Sequence, residues 1–177
     1  GAFPGARKEG CDSAWLRQIP GGSASMRVLW PRAGDIMADK RNNRSCVVHI
    51  KVGDFSLLLV GDIEAKVERA MLKEGLLPSK VDVLLAPHHG SKSSSSILFV
   101  EHVAPKHVIF SAGYKNRFGH PAEEIRRRYL DIGAKLWNTA EHGAISVLFE
   151  EKKGLDIVAQ RVVARKPWYD SPASHRP

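Results

Sequence analysis

The apolar run at residues 81–86 leads directly into His88, His89 and Gly90, and this order constrains the fold more than any other part of the chain. A short apolar run bounded by turn residues is typical of a buried strand, and such a strand delivers the side chains that follow it to a sheet edge. The run at 55–60 leads in the same way into Asp62. Because imidazoles and carboxylates are common metal ligands, the two runs together predict a metal site.

Strand and helix patterns alternate along the chain and predict a single α/β domain. Gly53 and Asp54 separate two apolar runs and indicate a hairpin. The predicted helices are at 63–74, from the serine cluster to about Val103, and at 121–132. We divide the chain into an irregular lead-in at 1–24, a domain at 25–165 and a tail at 166–177.

Composition narrows the class of protein and of partner. A chain of 177 residues is long enough for one hydrophobic core, and no apolar stretch has the length of a membrane helix. The formal charge of +8 favours a polyanionic partner such as nucleic acid or an anionic membrane surface, although basic tails carry part of the excess. Cys11 and Cys46 match no zinc ribbon, and we expect Cys46 to be a small buried side chain. Because the first residue is not Met, we expect an excised piece of a longer protein.

Asp62, His88 and His89 are the candidate metal ligands and catalytic residues, and each has an alternative. Asp62 is either a bridging carboxylate or the N-cap of the helix that follows. If the strand continued through His88 and His89, their side chains would alternate between faces, so at most one would face Asp62 unless the turn at Gly90 redirects the other. One of the two histidines is therefore an ordinary hydrogen-bonded residue in the alternative interpretation.

Two further segments offer groups that can hold a phosphodiester. Ser91 begins a serine-rich stretch before a helix, which suits a phosphate or a solvated capping loop equally. Asn43 and Ser45 precede a strand and add polar contacts at the same edge, or form a plain turn.

The loop at 113–121 follows a strand and precedes a helix, so it lies where open α/β sheets bind ligands. Asn116, Arg117 and His120 suit phosphate contacts, and Tyr114 or Phe118 is available to stack on a base. The alternative is a basic turn with an aromatic anchor.

Four motifs occur in the order and spacing of one family. They are Asn43-Arg44-Ser45-Cys46-Val47, Leu58-Leu59-Val60-Gly61-Asp62-Ile63-Glu64, Pro87-His88-His89-Gly90-Ser91 with Ser94-Ser95, and Asn116-Arg117-Phe118-Gly119-His120-Pro121. Over roughly residues 10–150 the chain resembles the metallo-β-lactamase-like domain at the C-terminal end of the ComEC family of bacterial DNA-uptake competence proteins.

The resemblance implies a metallo-β-lactamase-like αββα sandwich, of which this chain is mainly the C-terminal half. It implies a metal-dependent phosphodiesterase or DNase that acts on the DNA strand that is not imported, with two metal ions, Mn or Zn, about 3.5–4 Å apart in the complete domain. Asp62 would be the bridging ligand and the pair His88 and His89 would supply a terminal one. Asn116, Arg117 and His120 would contact substrate.

The family's upstream His-x-His-x-Asp-His-like loop does not occur in these residues. We therefore expect this chain alone to bind catalytic metal poorly and to have little or no nuclease activity. The missing N-terminal half of the domain would leave an apolar face uncovered, through which a homodimer can form. The family further implies single-stranded DNA as partner, a link to a membrane channel, and a soluble domain of an inner-membrane protein on its extracytoplasmic side.

Two other functions remain open. The first is a DNA-binding module without hydrolysis, in which Asp62→Ala leaves DNA affinity unchanged and Arg117→Ala weakens it. The second is another metallo-β-lactamase-fold hydrolase, which would turn over small esters rather than single-stranded DNA.

Overall fold

A seven-stranded mixed sheet forms the centre of the chain in a computed structural model that describes residues 16–18, 24–32, 41–150 and 153–163. Its strands lie in chain order, and β1 to β4 pair antiparallel whereas β4 to β7 pair parallel. They are β1 Leu16–Gln18, β2 Ala24–Trp30, β3 Val47–Val52, β4 Phe55–Leu59, β5 Val83–Leu85, β6 His107–Phe110 and β7 Lys135–Asn138. The prediction of a mixed α/β domain is confirmed.

Helices connect the parallel strands, as parallel pairing requires. They are α1 Ala65–Lys73, α2 Ile97–Val103 and α3 Glu123–Asp131, followed by the single turns α4 Thr139–His142 and α5 Gln160–Val163. The three longer helices confirm the predicted ones: α1 and α3 begin two residues later and end one residue earlier than predicted, and α2 ends at Val103 as predicted. The predicted hairpin at Gly53 and Asp54 is also confirmed, because Val52 pairs with Phe55 across that turn.

The three longer helices pack on one face of the sheet. Leu58, Leu84 and Val108 alternate with residues of the other face and join one buried cluster with side chains of all three helices. The helical members are Val67 and Met71 of α1, Phe99, Val100 and Val103 of α2, and Ile125 and Tyr129 of α3. This core holds the carboxyl ends of β4, β5 and β6 side by side.

The opposite face of the sheet is also apolar but less covered. Leu59, Leu85 and Ile109 are register neighbours on it, and both leucines are only half-buried. A separate hairpin, β8 Ile145–Glu150 with β9 Gly154–Ala159, lies against one end of this face, where Phe149 contacts Phe55 with ring centroids 5.4 Å apart. The sheet thus has a second apolar face, as expected. What covers that face remains a prediction.

Two expectations for the N-terminal region change. The lead-in was expected to be irregular, which is wrong for Leu16–Gln18, because these residues pair with β2. Cys46 was expected to be a simple buried side chain, but it is half-buried and disulfide-bonded. The other cysteine, Cys11, and the predicted tail at 166–177 lie outside the described residues. No helix in the described ranges combines the length and apolar character needed to span a membrane.

The environment of His107 predicts that the stability of the folded chain depends on pH. Burial, and then the charge of Lys135, lower the pKa of His107 below its ordinary value of 6.5. Its Nδ1 accepts a hydrogen bond from Trp137 Nε1 at 3.2 Å, and protonation of Nδ1 would remove that acceptor. Since the folded state binds this proton less readily than the unfolded chain, the stabilisation is present above pH 6.5 and is lost as pH falls below it.

We therefore expect the free energy of unfolding to fall between pH 7.5 and 5.5, and His107→Gln to reduce that dependence. Urea unfolding of both proteins at several pH values measures it. Equal slopes for the two proteins would show that His107 does not contribute.

Candidate active site at the carboxyl ends of the parallel strands

Three chain segments meet where β4, β5 and β6 end. Asp62 follows β4, His88 and His89 follow β5, and the loop at 113–121 follows β6. Because these strands are parallel and adjacent, their carboxyl ends lie at the same sheet edge, where ligands of open α/β sheets bind. The structure thus brings together the candidate residues that the sequence placed after separate strands.

The turn Pro87–Gly90 brings both histidine rings to this edge. His88 (φ 48°, ψ 43°) and His89 (φ 57°, ψ 16°) are both in the left-handed region, which costs a non-glycine residue about 1–2 kcal/mol. The turn is secured by His88 N, which donates to Gly61 O at 3.0 Å, and by Ser94 Oγ, which donates to Pro87 O at 2.9 Å. The strand therefore does not continue through the pair, and the expected alternation of faces does not apply.

Asp62 and His89 face each other at this edge. Asp62 Oδ1 lies 3.5 Å from His89 Nε2, and both side chains are partly exposed. His89 Nδ1 donates to the carbonyl oxygen of Ser111 at 2.7 Å, so in the neutral imidazole the lone pair of Nε2 points toward the carboxylate. Two acceptors in this arrangement are stabilised by a cation between them, either a proton on Nε2 or a metal ion. A backbone carbonyl bonded to the far ring nitrogen is also the usual support of a metal-binding histidine.

Asp62 does not cap the helix that follows it. Glu64 is the N-cap residue of α1, which leaves the Asp62 carboxylate available at the sheet edge. The capping alternative for Asp62 is therefore wrong.

His88 has different partners from those of His89. Its Nε2 accepts from Asn42 Nδ2 at 3.3 Å, and its Nδ1 donates to Ser93 Oγ at 3.2 Å. Ser93 was not among the predicted site residues, although the serine cluster was a signal for it. The predicted residue Ser91 lies one hydrogen bond further out, with its Oγ 3.1 Å from that of Ser93.

The ring of His120, in the loop at 113–121, lies beside the rings of His88 and His89. Its ring centroid is 6.2 Å from that of His88. Burial, followed by the nearby His88 and His89, lowers its pKa below 6.5 and so favours the neutral ring. Its Nδ1 is buried without a hydrogen-bond partner among the described residues.

Asn43 and Ser45 hold the backbone beside Asp62. Asn43 is 3% exposed, and its Oδ1 accepts from Glu64 N at 2.9 Å. Ser45 Oγ accepts from Asp62 N at 3.1 Å, and a Cβ on Gly61 would lie 2.7 Å from Ser45 Cβ. The Asn43 amide is thus buried and holds the chain beside Asp62, and the Ser45 hydroxyl does the same. The predicted contacts of these two residues with substrate remain predictions.

A buried carboxylate holds the backbone of the serine-rich stretch, and the sequence did not predict this role. Glu68 of α1 is fully buried and accepts from Ser95 N at 2.6 Å and Ser96 N at 2.8 Å. Burial raises its pKa, and these hydrogen bonds oppose that rise. The only sequence signal was a glutamate on the apolar side of a helix, which is too common to predict a role.

The loop at 113–121 is tied together by Asn116. Its Nδ2 donates to Gly113 O at 3.1 Å and to His120 O at 2.6 Å, and its Oδ1 accepts from His120 N at 2.9 Å. The amide of Asn116 is thus used within the loop, whereas Arg117 is exposed. Their predicted contacts with substrate remain predictions.

The described donors do not complete a metal centre. No group of three or more His, Cys, Asp and Glu side chains within the described ranges can hold a metal ion. Asp62 and His89 form a pair of suitable type and orientation, so they fit a part of a ligand set and not the whole of one.

Basic side chains flank the histidines on two sides. Arg41 and Arg44 are exposed at the ends of the turn that carries Asn42, and Lys115 and Arg117 are exposed in the loop beside His120. Such a distribution attracts an anionic ligand to the sheet edge between them.

No family model matches the chain. It is 39% identical over 106 residues to the competence protein ComA of Neisseria gonorrhoeae, which covers 59% of this chain and 15% of that protein. It is 33% identical over 128 residues to ComE operon protein 3 of Bacillus subtilis, covering 72% of this chain and 16% of that protein. The similarity to recombination protein 2 of Haemophilus influenzae is 35% over 143 residues, covering 81% of this chain and 17% of that protein.

One of these three relatives is named as a competence protein and another as a protein of the ComE operon. The chain spans less than a fifth of the length of each of these relatives. The activity of a longer protein of this kind can therefore be assigned to the chain only as a proposal.

Proposed function

We propose that this chain is the C-terminal part of a metallo-β-lactamase-like domain in a ComEC-type competence protein, and that the complete domain is a metal-dependent phosphodiesterase acting on the DNA strand that is not imported. The observation that carries the proposal is the facing pair of Asp62 Oδ1 and His89 Nε2, 3.5 Å apart, with the far nitrogen of His89 bonded to a carbonyl oxygen. The similarity to a competence protein and the exposed basic side chains beside the histidines support DNA as the substrate class.

In this proposal Asp62 and His89 are ligands, and the remaining ligands come from outside the described residues. A divalent metal ion, Mn or Zn, would supply Lewis acidity and an activated water. Both ring nitrogens of His88 are hydrogen-bonded to Asn42 and Ser93, so His88 would position these two side chains beside the metal ligands. His120, which its lowered pKa favours as a neutral ring, would orient a substrate oxygen, and the exposed Arg117 would attract phosphate.

The apolar second face supports the same assignment. A complete αββα sandwich covers that face with a second sheet, and Leu59 and Leu85 are half-buried where it would pack. In the chain by itself, a second copy is the substitute partner, and sedimentation of the purified chain distinguishes a monomer from a homodimer.

The disulfide at Cys46 bears on localisation. Disulfides persist in oxidising compartments, so this bond supports placing the domain on the extracytoplasmic side of the inner membrane, next to the channel that the longer protein would form.

The test compares this chain with a longer protein that also contains the residues encoded before it. We expect the longer protein to degrade single-stranded DNA in the presence of Mn²⁺ and to lose that activity in EDTA, because its ligand set is complete. We expect the chain of 177 residues alone to show little or no degradation. EDTA-sensitive activity of the short chain would show that its own residues complete the site. Absence of activity from the longer protein, together with intact DNA binding, would favour a binding module.

A further inference from the structure

Two aromatic rings are unusually exposed in the loop at 113–121. Tyr114 is 62% and Phe118 65% exposed, and a phenylalanine side chain is normally buried. A cation lies over each ring. Lys115 Nζ is 5.5 Å from the centroid of Tyr114, and the guanidinium carbon of Arg117 is 4.7 Å from that of Phe118. The loop thus presents two aromatic rings and two positive charges to solvent.

Phe118 connects this surface to the candidate site. Its ring stacks on His120 with centroids 5.7 Å apart and an interplanar angle of 19°. His120 in turn lies 6.2 Å from His88. The Arg117 guanidinium also lies over the Phe118 ring, so a base would stack there as the guanidinium moves aside to a flanking phosphate. A base in that place is two rings away from His88.

The Asn116 side chain holds the backbone of the loop. Its three hydrogen bonds span the loop from Gly113 to His120. Because this backbone is already held before a ligand binds, less conformational entropy of the loop is lost on binding.

The combination matches an unpaired nucleotide. Exposed rings stack on nucleobases, and adjacent cations contact the phosphates between them. In a duplex the bases are stacked on one another and must be separated before a protein ring can reach their faces. A protein partner would use the apolar area of the rings but would not require a cation over each one.

We propose that Tyr114 and Phe118 form a stacking platform for unpaired bases, with Lys115 and Arg117 on the flanking phosphates, so that the site selects single-stranded over duplex DNA. This inference rests on the proposed function for its choice of DNA, and it adds the residues that distinguish the two forms of DNA.

The experiment measures fluorescence anisotropy of a labelled single-stranded oligonucleotide and of the same sequence as duplex, with the chain of 177 residues in EDTA. We expect the chain to bind the single strand more tightly. Phe118→Ala should weaken single-strand binding roughly 5- to 100-fold and leave duplex binding within about twofold. Arg117→Ala should weaken the binding of both forms and reduce its salt dependence.

Two control variants separate stacking from other effects. Phe118→Leu keeps an apolar side chain without a ring and should behave like Phe118→Ala. Leu130→Ala removes a side chain that is 51% exposed on α3 and should leave both affinities unchanged. Circular dichroism melting confirms that each variant is folded.

Three results would overturn the platform: no binding of single-stranded DNA by the unsubstituted chain, wild-type affinity in Phe118→Ala or Phe118→Leu, or equal losses for single strand and duplex. Because EDTA prevents hydrolysis, the outcome is independent of the nuclease proposal. Binding that depends on Phe118, combined with an inactive longer protein, would refute the nuclease alone.

Discussion

Asp62→Asn is expected to reduce DNA degradation by the longer protein at least roughly a thousandfold, as the loss of an essential group in an active site commonly does. The substitution keeps the shape of the side chain but removes the charge that faces His89 Nε2 at 3.5 Å. The carboxamide would be a poorer metal ligand and would place either an amide oxygen or an amide nitrogen there. Initial rates on single-stranded DNA with Mn²⁺ measure the effect.

The matched control is Asp54→Asn, at an exposed position of the turn between β3 and β4. It makes the same chemical change and should leave the rate unchanged. In Asp62→Asn the affinity for DNA in EDTA should stay within about twofold of the wild-type value, because the phosphate contacts are assigned to other residues. A wild-type rate in Asp62→Asn would refute the ligand role of this residue.

Gly90→Ala is expected to cost roughly 3 kcal/mol or more in the free energy of unfolding. Gly90 has φ +83°, and a Cβ there would lie 2.6 Å from Pro121 Cβ and 2.8 Å from a ring carbon of Phe110. The left-handed backbone contributes about 1–2 kcal/mol and the collision with packed neighbours about 1–3 kcal/mol. Urea unfolding monitored by circular dichroism measures the change.

Gly75→Ala separates the two contributions. Gly75 has φ +65° but no atom within 4 Å of the added methyl group, so only the backbone cost of about 1–2 kcal/mol applies. If both variants lost the same stability, the close approach of Pro121 and Phe110 to Gly90 would have no energetic weight.

The parts of the fold that follow from local pattern were predictable. The two apolar runs around Gly53 and Asp54 predict a hairpin, because a glycine between two strands readily adopts the positive φ that a tight turn needs. In the structure Gly53 has φ +56°. The three longer helices follow from apolar spacing in the same way. The lead-in strand Leu16–Gln18 was missed because three residues are too few to show a period.

The candidate site was predictable in its residue types and not in its geometry. The placement of Asp62, His88 and His89 at one sheet edge was predictable, because these residues follow two buried strands. The left-handed conformations of His88 and His89 were not predictable, since the turn is held in part by Gly61, which is distant in sequence. The position of Asn43 was not predictable either, since its amide oxygen accepts a hydrogen bond from the backbone of Glu64, which is also distant in sequence.

The carboxylate of Glu68 connects helix α1 to the candidate site. It accepts hydrogen bonds from the backbone of Ser95 and Ser96, and Ser93 of the same stretch contacts His88 through its hydroxyl. A shift of α1 along its axis would therefore move this stretch and, through Ser93, the His88 ring. The packing position of α1 thus helps to set the orientation of the His88 ring at the candidate site.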